Sequence, residues 1–177
     1  MLNEMTGEEI DLSVPSVSFP RREEAIEILT GELDRRVAIV TQTLTGALTG
    51  RAALLIVDDQ SAALVKILID PDLAMEDVTE LEAEALCELG NVVLNSAMGL
   101  LADSLEAEIA IGLPEISRGT PEAIVNTLVD PVLPSIVVRI SLTSVPTGIG
   151  GLLMFVLDEP SMKTLRAHVE SLAAELA

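Results

Sequence analysis

Between Val78 and Ser104 the chain reads VTELEAEALCELGNVVLNSAMGLLADS, its longest helical pattern without a proline. Leu81, Leu86, Leu89, Val93, Ala97 and Leu100 recur at spacings of three to five, so one side of a helix can face a core. Glu84, Glu88, Asn91 and Asn95 fall at steps of four, three and four, a polar stripe along one side of the same helix. A carboxylate and a carboxamide three residues apart on a rigid rod can dock to a partner and orient a water molecule. For that chemistry Glu88 and Asn91 must project jointly into solvent.

The remaining composition narrows the classes. A chain of 177 residues suits one domain with a sizeable core, and here 49 % of residues are hydrophobic while only 1 % are aromatic. The core is therefore built from Leu, Ile, Val, Ala and Met, and no aromatic platform is available for stacking bases or sugars. A formal net charge of −19 disfavours nucleic acid and anionic membrane surfaces as partners. The longest apolar run, Ile149 to Leu157, has the length of a strand, so no membrane span is expected. The opening MLNEMTGEE lacks the order of a signal peptide, and a lone Cys87 cannot form an internal disulfide. These features point to a soluble cytoplasmic protein. His168 has no Cys or His nearby, which argues against a metal site, and Cys87 reads as a packing residue.

An internal repeat organises the chain into two halves, about 1–70 and 78–177, of one domain covering 1–177. EIDLSVPSVS from Glu9 matches EIAIGLPEIS from Glu108, setting Pro15 opposite Pro114, and PRREEAIEIL resembles GTPEAIVNTLV. VAIVTQTLTGALTGRAALLIVDDQS from Val37 matches VVRISLTSVPTGIGGLLMFVLDEPS from Val137 at an offset of 100. Each unit predicts a strand, a short helix and two longer strands, at 35–46 and 49–58, then at 134–145 and 149–158. A terminal helix follows in each half, with Ser61 or Ser161 as N-cap. PDLAMEDVTE, from Pro71 to Glu80, joins the halves. The expected class is α+β: a pseudo-twofold duplicated unit with an antiparallel sheet and long helices packed on it. The first unit begins where the last turn of a helix like 78–104 would lie, so the chain is either truncated or has lost that element.

Glu88-x2-Asn91, followed after 22 residues by Pro114, resembles the signature of the CheC/CheX/FliY family of bacterial chemotaxis phosphatases. ELGNVVLNSAMGLLAD is similar to that family's helix, and the duplicated layout extends the likeness along nearly the whole chain. Glu84 stands where the family pattern has Ser or Asp. The Asn of a second site would lie 23 positions before Pro15, upstream of Met1, so one intact site at most is expected.

The resemblance implies dephosphorylation of a phosphorylated CheY-type receiver domain. It implies Glu88 and Asn91 as the catalytic pair, Glu84 as a possible first motif position and Pro114 as a structural motif residue. Glu88 then pairs with the receiver's lysine, and Asn91 positions water for in-line attack on phosphorus. The chain needs no cofactor of its own, since Mg²⁺ belongs to the receiver. A second reading is a non-catalytic adapter that binds a CheD-type deamidase through the short helix near Thr120 to Val129. A third is a subunit that only forms a homodimer through its sheet edge. Read without the resemblance, Glu88 and Asn91 are also consistent with a solvated helix surface, and Gly90 with either partner approach or packing on the sheet.

Overall fold

The continuous apolar runs in VAIVTQTL and GRAALLIV build two adjacent strands of an antiparallel sheet, buried on both faces over most of their length. The computed structural model describes residues 11–20, 22–32, 36–58, 60–61, 63, 66, 75–128, 135–144 and 147–175. In chain order these give β1 (Asp11–Ser18), α1 (Arg22–Glu32), β2 (Val37–Gly46), β3 (Gly50–Val57) and α2 (Met75–Leu105). Then come β4 (Ile109–Ile111), β5 (Glu115–Gly119), α3 (Pro121–Leu128), β6 (Ser135–Ser144), β7 (Thr147–Leu157) and α4 (Glu159–Glu175). The order across the sheet is β1-β6-β7-β3-β2-β4, with β5 also on β2, and every pair is antiparallel. The class is α+β, as expected.

Because side chains alternate along each strand, the sheet buries both faces. Ala38, Val40, Leu44, Ala52, Leu54 and Ile56 pack with Leu86, Leu89, Val93 and Met98 of α2 and with Met162 and Leu165 of α4. Val37, Ile39, Ala53 and Leu55 pack on the other side with Leu29 of α1 and Ile124 of α3. The result is three layers, helices on sheet on helices.

Several expectations need correction. The joining segment is partly helical, since α2 begins at Met75; residues 71–74 lie outside the described residues. Leu100, read as a core position, is 73 % exposed, while Leu94 and Met98 are buried. Towards its C-terminal end α2 packs instead through Leu94, Met98, Leu101 and Leu105. Among the described residues, the helical stretch Leu81–Leu105 is long and apolar enough to cross a membrane by length and composition, contrary to the expectation that none would be. Its packing on the sheet is that of a core helix.

The helix caps also differ. α4 starts at Glu159, and Ser161 N donates to Asp158 Oδ1 at 2.8 Å, so Asp158 holds the cap position. Ser161 Oγ instead accepts from Thr49 N at 2.8 Å, tying α4 to the β2–β3 turn. In the first half the helical residues already include Asp58, and Ser61 Oγ donates to Asp58 O at 2.6 Å, so Ser61 lies past the cap position.

The hairpins differ in register as well. β2 and β3 last pair at Leu44↔Gly50, whereas β6 and β7 last pair at Ser144↔Thr147. The longer first turn displaces the strands, so Ala52 and Leu152, matched at the offset of 100, lie on opposite faces.

Candidate functional site

The site begins with how α2 sits on the sheet. A Cβ added at Gly90 would lie 2.5 Å from Val40 Cγ1 and 2.7 Å from Val40 Cβ. Glycine at this point lets the helix backbone rest on β2, despite its cost of about 1 kcal/mol against Ala in a helix. Gly90 is buried, so its role is packing on the sheet and not exposure to a partner.

This close crossing sets the residues around it. Glu84, Glu88 and Asn95 are exposed, and Asn91 is half-buried at the seam between α2 and β2. Glu88 is thus open to solvent, and Asn91 is partly so. Asn91 Oδ1 accepts from Gln42 Nε2 at 3.0 Å and from Asn95 Nδ2 at 2.7 Å. Asn95 Nδ2 also donates to Asn91 O at 2.6 Å, one helical turn back.

Gln42 belongs to β2 and is 2 % exposed. Its Nε2 also donates to Gly112 O at 3.1 Å. A backbone carbonyl only accepts, so the NH₂ end of Gln42 must face Gly112. That same NH₂ faces Asn91, which fixes the Asn91 oxygen inward and turns its Nδ2 away from Gln42. Gln42 Oε1 is buried without a hydrogen-bond partner among the described residues.

Gly112 opens the break between β4 and β5, and Gly112 N donates to Thr43 O at 2.9 Å. A Cβ there would collide with Thr43 Oγ1, so glycine allows the loop to lie against β2. Pro114, the expected structural motif residue, lies in this break between β4 and β5 rather than within a strand, consistent with its missing N–H, and is half-buried. Leu113 between them is 88 % exposed. The fold thus brings Asn91, Gln42 and the Gly112–Pro114 loop together. Glu84 shares only the helix surface with them.

A second polar cluster anchors the same helix nearer its start. Arg118 Nε pairs with Asp58 Oδ1 at 3.0 Å, and Arg118 Nη2 with Glu82 Oε2 at 2.5 Å. Glu82 Oε1 also lies beside Ser61 Oγ, whose one proton is shared between this carboxylate and Asp58 O. Arg118 on β5 so links α2 to the end of β3. At the other end, Ser104 Oγ and His168 Nε2 lie 2.6 Å apart, joining α2 to α4. Burial pushes the Cys87 thiol pKa up, which disfavours the reactive thiolate. Among the described residues no group of three or more His, Cys, Asp or Glu could hold a metal ion.

Sequence reasoning missed Gln42. The signal was present: along β2 the inward positions read Ala38, Val40, Gln42, Leu44, a single amide in an apolar row.

No family model matches the chain. It is 28 % identical over 126 residues to the CheY-P phosphatase CheC of Bacillus subtilis, across 70 % of this chain and 60 % of that protein. The chain thus spans less than two thirds of the length of CheC. Among solved structures, Thermotoga maritima FliY shares the fold with a TM-score of 0.72 at 17 % identity, over 96 % of this chain and 86 % of that one. The CheX–CheY–BeF₃–Mg²⁺ complex of Borrelia burgdorferi gives 0.53 at 17 % identity, over 89 % and 90 %. The FliG–FliM complex of H. pylori gives 0.55 at 12 % identity, over 92 % and 87 %.

Proposed function

We propose that this chain, a CheC/CheX/FliY-like protein, dephosphorylates a phosphorylated CheY-type receiver domain, with Asn91 positioning the attacking water and Glu88 docking the receiver's lysine. The observation that carries this reading is the side-by-side placement of an exposed Glu88 and an Asn91 whose oxygen is held and whose Nδ2 is turned away from its holder. Similarity to CheC and a fold shared with a CheX solved in complex with CheY support the receiver as partner. With such a partner the proposed setting is the cytoplasm.

The chemistry asks little of the phosphatase. Water attacks phosphorus in line, a new P–O bond forms, and the aspartyl carboxylate leaves as the acyl P–O bond breaks. The receiver's Mg²⁺ neutralises charge on the phosphoryl oxygens, so positioning is the main contribution left to this chain. The Nδ2 of Asn91 donates to the water oxygen and leaves its second lone pair for phosphorus, without adding negative charge beside phosphate. Glu88 supplies a charge-assisted contact to lysine. Glu84 belongs to the helix surface, and Pro114 shapes the loop that Gln42 grips.

The test is phosphate release from a phosphorylated receiver with Mg²⁺. Wild type accelerates release, Asn91→Ala abolishes the acceleration with the fold intact, and Glu88→Ala chiefly raises KM. Identical behaviour of wild type and both variants would leave the adapter reading in its place. That second reading has one observation of its own, the fold shared with a FliM captured in complex with FliG.

A further inference from the structure

We infer that Gln42 is a positioning residue for Asn91: its buried amide sets which end of the Asn91 carboxamide faces the partner. This rests on the reading of Asn91 as the group that places water.

Gln42 occupies an inward position of β2 whose neighbours in the row, Val40 and Leu44, are each 1 % exposed and packed in the core under α2. A buried amide is unfavourable unless its hydrogen bonds are made, and Gln42 leaves Oε1 unmet among the described residues while spending both donors of Nε2 on named acceptors. Packing alone gives no reason for such a residue. Its two acceptors are the Asn91 side chain and the carbonyl of the loop beside it, so one amide fixes both relative to the rigid sheet. Asn95, the other donor to Asn91, is exposed and rides on the same helix, so it cannot supply that reference to the sheet.

Gln42→Leu and Gln42→Met remove the donor while filling the space. We expect both to fold, as judged by circular dichroism and the unfolding midpoint. With a phosphorylated receiver and Mg²⁺, kcat falls about tenfold or more while KM stays within about twofold, because docking through Glu88 is untouched. In an Asn91→Ala background either change has no further effect on kcat. Independently of activity, the Asn91 Nδ2H₂ group, observed by NMR relaxation, is ordered in wild type and loses order in both variants. Wild-type kcat in a folded Gln42→Leu protein, with Asn91→Ala inactive, overturns the inference. If wild type itself releases no phosphate, the functional reading falls, and the inference is decided by the amide: order retained without Gln42 overturns it, order lost sustains the positioning role.

Discussion

β2 and β6 are both ten-residue strands flanking the central β3–β7 pair, yet they treat one polar residue differently. Under α2, β2 carries Ala38, Val40, Gln42 and Leu44. In β6, counting by twos from buried Ile136, the sequence gives Val138, Ile140 and Leu142, with no polar residue. An amide is accommodated where two acceptors await it, and those acceptors are the side chain of Asn91 and the carbonyl of Gly112. On β2 the buried amide therefore has prearranged partners, in a row that is otherwise apolar.

This comparison can be broken by moving the amide. Ile136, 3 % exposed, is the buried position of β6 to use. Ile136→Gln trades an apolar side chain for an amide without prearranged acceptors and should cost about 2–5 kcal/mol in urea unfolding. A loss under about 1 kcal/mol would show that the sheet tolerates amides generally, and Gln42 would lose its distinction.

The next effect concerns the seat of the helix. Gly90→Ala drives a methyl into Val40 and should destabilise by about 1–3 kcal/mol, although Ala is the better helix former. Adding Val40→Ala should recover part of that loss, a coupling read from the double-mutant cycle. Simple additivity would mean that α2 does not rest on β2 at this point.

Smaller again is the stability change of Gln42→Leu. It removes an orphaned acceptor and also leaves Gly112 O without its donor, so the net change should stay within about 1 kcal/mol by denaturant unfolding. A stability effect that small, set beside a large effect on kcat, is what separates positioning from structural support.

The smallest contrast lies in the Asp-x-x-Ser motifs. Asp58 pairs with Arg118, whereas Asp158 accepts from Ser161. The Ser161 hydroxyl first, then its backbone N–H, hold the Asp158 pKa below the ordinary carboxylate range. A folded-state pKa that is depressed contributes stability fully above the unfolded value and loses it as pH falls through the folded one. Asp158→Asn should therefore lower the Tm slightly at neutral pH, and the two melting curves should converge in acid. A difference that persists unchanged below the folded pKa would mean that the carboxylate charge has no part in the cap.

Much of this was legible in one dimension. The strands of both hairpins, the α+β class, the long helix and the Glu88–Asn91 spacing follow from local periods, because alternation and the 3.6-residue turn act between near neighbours. The polar stripe also placed Glu88 and Asn95 on the exposed side of α2. The misread positions share a cause. Leu100 has the right period, but α2 packs there through Met98 and Leu101 instead, and Ser161 sits at a cap-like spacing while Asp158 does the capping.

The sequence by itself determined which residue types stand at which periods, and through them the strands, the helices and the candidate pair. Only the tertiary structure decided that Gln42, 49 residues from Asn91 and 70 from Gly112, would grip both. It also decided that Asn91 would sit half-buried with its oxygen turned inward. The physical reason is that a buried amide takes its partners from whatever the fold packs over it, and hydrogen-bond geometry at such separation leaves no periodic trace in the chain.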